Sequence, residues 1–160
     1  MVKTITVALI GNPNTGKSSV FNNLTGLKQK VGNYPGVTVE KKIGSFKVDR
    51  TTNVQLIDLP GTYGLNTQSL DQSIVFDLLL NKKNKDFPDV VVVVADIENL
   101  KRNLLLFSQI KDLEIPSILV VNMADQLKSK GIEIDVNKLE EEFDTKVILL
   151  SARKNFGFEQ

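Results

Sequence analysis

Apolar residues fall along this chain in two alternating rhythms. Short unbroken runs at Ile5–Ile10 (ITVALI), Val54–Leu59 (VQLIDL), Asp89–Ala95 (DVVVVVA), Ser117–Asn122 (SILVVN) and Lys146–Leu150 (KVILL) read as strands. The uninterrupted valines of Asp89–Ala95 predict burial on both faces, as a central parallel strand requires. Between the runs, apolar positions recur three or four apart, the spacing of one helix face. Val20, Phe21 and Leu24 mark a helix over Lys17–Leu24, and Leu70, Ile74 and Leu78 mark another, opened by the capping-box pair Ser69 and Gln72. Leu100, Leu104 and Phe107 mark a third, running to about Leu113; Val136, Leu139 and Phe143 mark a fourth, capped by Asp135. Val37–Val48 is a further strand, joined to Val54–Leu59 by a turn around Asp49–Asn53, a connection so short that the two must be antiparallel. Its apolar parity slips between Ile43 and Phe46, which predicts a bulge at Gly44. Gly26–Gly36 and Pro60–Gln68 read as loops, the first of a length that usually carries function. The expectation is an α/β fold: a six-stranded, mostly parallel sheet with one antiparallel strand and helices on both faces.

Composition narrows the chemistry. The 160 residues make one domain large enough for a single core. With 20 basic and 19 acidic residues the net charge is +1, which gives no pull toward nucleic acid or anionic lipid. There is no cysteine and no histidine. Disulfides, thiolate nucleophiles, histidine-ligated zinc and serine–histidine hydrolysis are therefore excluded. The longest apolar run, Val90–Ala95, is far short of the roughly 20 residues of a spanning helix. Val2–Ile10 reads as a strand rather than a signal peptide. Phe156–Gln160 reads as the start of a further helix, so the chain is expected to be a fragment of something longer.

The candidate chemistry lies where strands end. Gly11-Asn12-Pro13-Asn14-Thr15-Gly16-Lys17-Ser18 fits the phosphate-loop pattern G-x-x-x-x-G-K-[ST], between a strand and a helix as that motif demands. The glycines let successive N–H groups turn inward toward phosphate oxygens, Lys17 reaches the β- and γ-phosphates, and the Ser18 hydroxyl can ligate Mg²⁺. The helix dipole adds to the same end. Asp58-Leu59-Pro60-Gly61 follows a strand too. Alone it is only a turn; after a phosphate loop, Asp58 can hold Mg²⁺ and the Gly61 N–H can sense a γ-phosphate. Asn122-Met123-Ala124-Asp125 ends another strand, where an Asp125 carboxylate can accept both N1–H and the 2-amino group of guanine. Strand-end turns would also use an asparagine and an aspartate there. Ser151-Ala152 closes the last strand, and the Ala152 N–H can meet guanine O6.

In this order, GNPNTGKS, Thr38, DLPG, NMAD and SA resemble the translation-factor-related class of P-loop NTPases with a Ras-like G domain. More narrowly, VGNYPGVTVE (Val31–Glu40), DLPGTY (Asp58–Tyr63), ENLKRNL (Glu98–Leu104) and NMAD resemble the N-terminal G domain of the ferrous-iron transporter family FeoB, over about Thr4 to Arg153. That resemblance implies GTP and GDP as ligands. The binding set would be Gly11 through Ser18 with Ser19, then Gly36, Val37 and Thr38 of a first switch, Asp58 and Gly61 of a second, and Asn122, Met123, Asp125, Ser151, Ala152 and Arg153 around the base. It implies Mg²⁺ on Ser18, Thr38 and Asp58, and K⁺ against the amide oxygen of Asn14, a residue that marks potassium-activated GTPases. Lys17, Thr38, Gly61 and Asn14 would carry catalysis.

Two departures matter. Met123 stands where most relatives of the wider class have lysine, and Thr62 stands where Ras-like enzymes place a water-orienting glutamine. Arg50, Arg102 and Arg153 all lie outside the switch loops, which argues against an internal arginine finger. Slow, K⁺-stimulated GTP hydrolysis is expected. The resemblance further implies a helical regulatory domain and a membrane region in the same full-length protein, a place on the cytoplasmic face of a bacterial or archaeal membrane, and an assembly open to homo-oligomerisation. Nothing in these residues supplies soft or imidazole ligands for iron. The rivals are a ribosome-assembly or RNA-modification GTPase, which would need a basic surface the charge balance does not provide, and a module that binds nucleotide without hydrolysing it.

Overall fold

A computed structural model describes residues 1–66 and 68–160; Thr67, inside the stretch read as a loop, lies outside the described residues. Seven strands form one sheet: β1 (Lys3–Gly11), β2 (Gln29–Asn33), β3 (Glu40–Lys47), β4 (Thr52–Asp58), β5 (Val90–Asp96), β6 (Ser117–Asn122) and β7 (Val147–Leu149), in the spatial order β2-β3-β4-β1-β5-β6-β7. β1 lies parallel between β4 and β5, and β6 and β7 extend that parallel series. Only β3 runs against its neighbours. The expected α/β architecture and its single reversed strand are present, with seven strands in place of six. The extra strand is β2, inside the stretch read as a loop. Every residue of β2 is exposed and its ladder bonds go to β3 alone, so it carries no hydrophobic alternation to betray it.

The helices are α1 (Lys17–Thr25), α2 (Leu70–Leu80), α3 (Leu100–Asp112), α4 (Leu127–Lys130) and α5 (Val136–Phe143). They cover two apolar clusters, one on each face of the sheet. Ile10, Ile57, Val93 and Val121 pack with Val75, Leu78, Leu106, Phe107 and Ile110 on one face; Leu9, Leu56 and Val94 pack with Val20 and Phe21 of α1 on the other. Successive strand residues thus go to opposite, equally dry faces, which is why β1 and β5 read as unbroken apolar runs.

The same fact removes the predicted bulge. Ile43 packs against the first cluster and Phe46 against the second, while pairing runs without interruption from Ile43↔Ile57 through Gly44↔Leu56 to Ser45↔Gln55. Gly44 is there for space: a Cβ would lie 2.9 Å from the Thr25 Cβ and 3.1 Å from the Phe21 ring. β3 is also shorter than the expected Val37–Val48, and Val37 and Val39 reach the core from the preceding loop.

The capping box of α2 forms as expected, with Ser69 Oγ accepting the Gln72 N–H at 3.2 Å and Gln72 Oε1 accepting the Ser69 N–H at 3.1 Å. Its buried face is Val75, Leu78 and Leu79, whereas Leu70 is exposed. The sequence LDQSIVFDLLL is apolar nearly all round, so spacing alone could not choose the face. Residues 156–160 form turns after a bridge between Ser151 and Phe156, and the expected helix start is absent there. Among the described residues no helix is long and apolar enough to cross a membrane.

Candidate nucleotide site

β1, β4, β6 and β7 are mutually parallel, so the loops that follow them open at one rim, the edge at which ligands bind in open α/β sheets. The phosphate loop follows β1. Gly11 has no room for a side chain, since a Cβ would sit 2.6 Å from the Val94 carbonyl oxygen. Asn14 and Gly16 hold φ at +67° and +81°, and a Cβ on Gly16 would also strike the Asn122 amide. Gly16 makes no side-chain cap on α1. The first-turn N–H groups therefore face the rim without a side-chain acceptor, the arrangement that attracts anions. Inside the loop, the buried Thr15 hydroxyl donates to the Asn12 carbonyl at 3.0 Å.

The rim loops are joined by side chains. Asn122 donates its Nδ2 to the Thr15 carbonyl at 3.0 Å and accepts the Ala152 N–H on Oδ1 at 3.0 Å, so one buried amide ties the loops after β1, β6 and β7. That N–H is the one expected to meet guanine O6, so a base would have to share it with Asn122. Asn23 of α1 holds the same segment from below, donating to the Ala152 carbonyl at 2.7 Å. Lys17 and Asp58 form an ion pair, with only 11% and 9% of their side chains exposed. This brings the carboxylate at the end of β4 against the first turn of α1, where Ser18 also stands. A hydroxyl and a carboxylate there are oxygen donors of the kind Mg²⁺ prefers. Thr38, in the loop between β2 and β3, is joined to this cluster by none of the hydrogen bonds described; Gly36 precedes it at φ +76°.

Beside the phosphate loop lies a cleft of about 440 Å³, lined by Gly16, Ser19, Asn122, Met123, Asp125, Ser151, Ala152 and Arg153. The structure thus gathers the residues expected around the base. Met123 takes a left-handed φ of +68°, which starts the turn leading to Asp125. Asp125 Oδ1 accepts the Ser151 hydroxyl at 2.7 Å and Oδ2 pairs with Arg153 at 3.1 Å. These contacts, the Ser151 bond first, hold its carboxyl below the usual carboxylate range and keep it ionised.

Tyr34 and Arg102, outside the expected binding set, have a place here that spacing did not reveal. Tyr34 is buried in the core beneath the first loop, with Lys41 packed 5.6 Å from its ring centroid and paired with Asp86. Burial, then the charges of Asp58 and Asp86, push its phenol above the ordinary tyrosine value. Arg102 lies 4.3 Å from the Tyr63 ring centroid. The Asn12 side chain is buried, and neither its Nδ2 nor its Oδ1 has a partner. Asn12 and Arg102 stand in GNPN and ENLKRNL, but only the folded chain shows what they touch.

Strand order, a glycine-framed loop opening the first helix and an aspartate after the parallel neighbour of β1 together define a P-loop nucleotide-binding domain of the Ras-like kind. The chain belongs to the family of ferrous iron transport protein B, whose N-terminal model matches residues 5–160. It is 40% identical over 159 residues to the Fe(2+) transporter FeoB of Leptospira biflexa, covering 99% of this chain but only 22% of that relative. It superposes on the G domain of the T. maritima FeoB iron transporter with a TM-score of 0.88 at 41% identity, covering 98% of this chain and 93% of that one. The cytosolic domain of T. maritima FeoB in a GDP form gives 0.91 at 42% identity, covering 98% of this chain and 60% of that one.

Proposed function

We propose that this chain is a GTP-binding and GTP-hydrolysing switch, and that in a full-length Fe²⁺ transporter its nucleotide state governs iron passage. The observation that carries the reading is Asn122, which bridges the phosphate loop and the Ala152 segment while the ionised Asp125 stands across the same cleft. A triphosphate along α1 and a guanine in the cleft satisfy both ends at once. The related cytosolic domain of T. maritima FeoB, solved in a GDP form, supports the choice of base.

On binding, Lys17 would exchange its Asp58 partner for β- and γ-phosphate oxygens, and Ser18, Thr38 and Asp58 would be the residues to hold Mg²⁺. Held there, Mg²⁺ would supply charge neutralisation for phosphoryl transfer to water. Thr38 and the Gly61 N–H hold their loops against the γ-phosphate and release them after hydrolysis. Asn14, left-handed at the crown of the phosphate loop, offers its amide oxygen to K⁺. No glutamine stands after Gly61, so turnover is slow and the water is placed by switch backbone. The regulatory and membrane parts belong to the remainder of the protein, with this chain on the cytoplasmic face.

Phosphate release from GTP under single-turnover conditions tests this, run in K⁺ and in Na⁺. The expected result is slow release that K⁺ accelerates, and loss of that acceleration in Asn14→Ala. Nucleotide bound without release makes the chain a binding module. Equal rates in the two salts remove the cation role.

A further inference from the structure

The loop that carries Gly61 is gripped from two sides. On the side of the phosphate loop, the Thr62 N–H donates to the Gly11 carbonyl at 3.0 Å, and a Cβ at Gly61 would lie 3.4 Å from Pro13 Cγ. On the other side stands α3. The Arg102 guanidinium stacks 4.3 Å from the Tyr63 ring centroid, and Gln109 Oε1 accepts the Leu65 N–H at 2.9 Å. Arg102 and Gln109 are two helical turns apart and so share one face of α3. The adjoining flank of α3 is anchored in the core by Leu106, Phe107 and Ile110, all at 0% exposure, which makes the helix a rigid platform. Within the loop, the Thr62 hydroxyl donates to the Gly64 carbonyl at 2.8 Å and braces the turn between the two grips.

Packing places the two ends of the loop, where Thr62 is 1% exposed and Leu65 lies against the first apolar cluster, but not the stretch around Tyr63. Between it and the phosphate loop lies a polar cavity of about 150 Å³ bordered by Asn12, Asn14, Tyr63, Asp96 and Arg102. Asn12, on its border, is only 3% exposed, and neither polar atom of its amide has a partner. A cavity of that size and polarity suits a few waters, which place a loop less firmly than close-packed side chains. The exposed pair Tyr63 and Arg102 spans it instead.

We propose that Arg102 and Gln109 are positioning residues for the γ-phosphate: from one face of α3 they hold residues 61–65 so that the Gly61 N–H stands where a γ-phosphate oxygen arrives. The proposal rests on the GTP reading above. It assigns to an arginine outside both switch loops a part in hydrolysis through Tyr63, without contact to the nucleotide. GDP has no γ-phosphate, so its affinity does not depend on these grips. GTP affinity and kcat do.

Arg102 is exposed and Gln109 half-buried, so neither substitution opens the core. In Arg102→Ala the ratio of GTP-analogue to GDP affinity falls about fivefold, kcat falls with it, and GDP affinity stays within about twofold. Gln109→Ala acts in the same direction. Arg102→Lys recovers part of the loss, because an ammonium can also lie over the ring. Tyr63→Leu lowers the ratio as Arg102→Ala does, and combining the two lowers it no further. Wild-type ratio and kcat in both alanine variants overturn the proposal, as do losses that multiply in the Arg102→Ala, Tyr63→Leu pair. An unaltered chain that binds neither nucleotide overturns the underlying reading and the proposal with it. One that binds both while these variants change nothing overturns the anchors alone.

Discussion

Asp125 shows how much a single side chain is asked to do. To select guanine it must stay ionised and present both oxygens toward the cleft. The Ser151 hydroxyl and Arg153 achieve the first and orient the second. The direction of the shift matters: a depressed carboxyl remains charged through the whole neutral and mildly acidic range. Asp125→Asn replaces one of those acceptors with a donor, which opposes the guanine 2-amino group but matches a carbonyl at the same ring position. GDP affinity should fall about 10- to 100-fold, the worth of hydrogen bonds to a charged group, while xanthosine diphosphate gains. Competition against a fluorescent guanine nucleotide reads both, and equal weakening for the two bases would mean that the carboxylate serves the loop rather than the base. Asn122 is the complementary case. Its amide is spent on loop-to-loop bonds, so its replacement is felt by the phosphate loop before it is felt by the base.

Elements transmit what residues decide. β3 and α1 meet at Gly44 with no space for a methyl group, and α1 is the helix whose first turn serves the phosphate loop. Gly44→Val forces α1 off the sheet; the expected cost is about 1–3 kcal/mol of stability, read from the denaturation midpoint, with weaker nucleotide binding. Gly32 in β2 has nothing within 4 Å of a built Cβ, so Gly32→Val should leave both quantities unchanged. The contrast also explains what could be read in advance. β1, β5 and β6 were legible because burial on two faces writes a continuous apolar run, and the capping box of α2 because its two residues are close in sequence. β2 was not legible, since an edge strand exposed on both faces needs no apolar residue. Gly44 was misread as a bulge because a glycine in a strand signals either a ladder defect or a close approach, and only the neighbouring helix tells which. At the site, order and spacing placed the phosphate loop, Asp58 and Asn122–Asp125 at one rim, where the fold brings them together. The stack of Arg102 on Tyr63 was not legible, because it joins residues far apart in the chain through the placement of α3 beside the sheet.

For the molecule as a whole, the site is a seam. Its loops follow β1 and β4 in the first half of the chain and β6 and β7 in the second; the two halves are joined by Asn122 to Thr15, the first two loops by Lys17 to Asp58 and Thr62 to Gly11, and the last two by Asn122 to Ala152 and Asp125 to Ser151 and Arg153. A nucleotide laid along that rim would tie four loops from both halves of the sheet. It would also give Lys17 and the first-turn N–H groups of α1 an anionic partner. A ligand that binds only the folded chain must raise its stability by mass action, about 2.7 kcal/mol at a hundredfold excess over Kd. In a domain of this size that corresponds to a rise of roughly 5–10 °C in melting temperature. GDP should produce that shift in the unaltered chain and little in Lys17→Ala, where the phosphates lose their cation. ATP at the same concentration should produce almost none, because adenine offers Asp125 no pair of N–H groups. An equal shift with ATP would place the binding energy in the phosphate loop alone and leave the cleft beside Asp125 without a part in choosing the ligand.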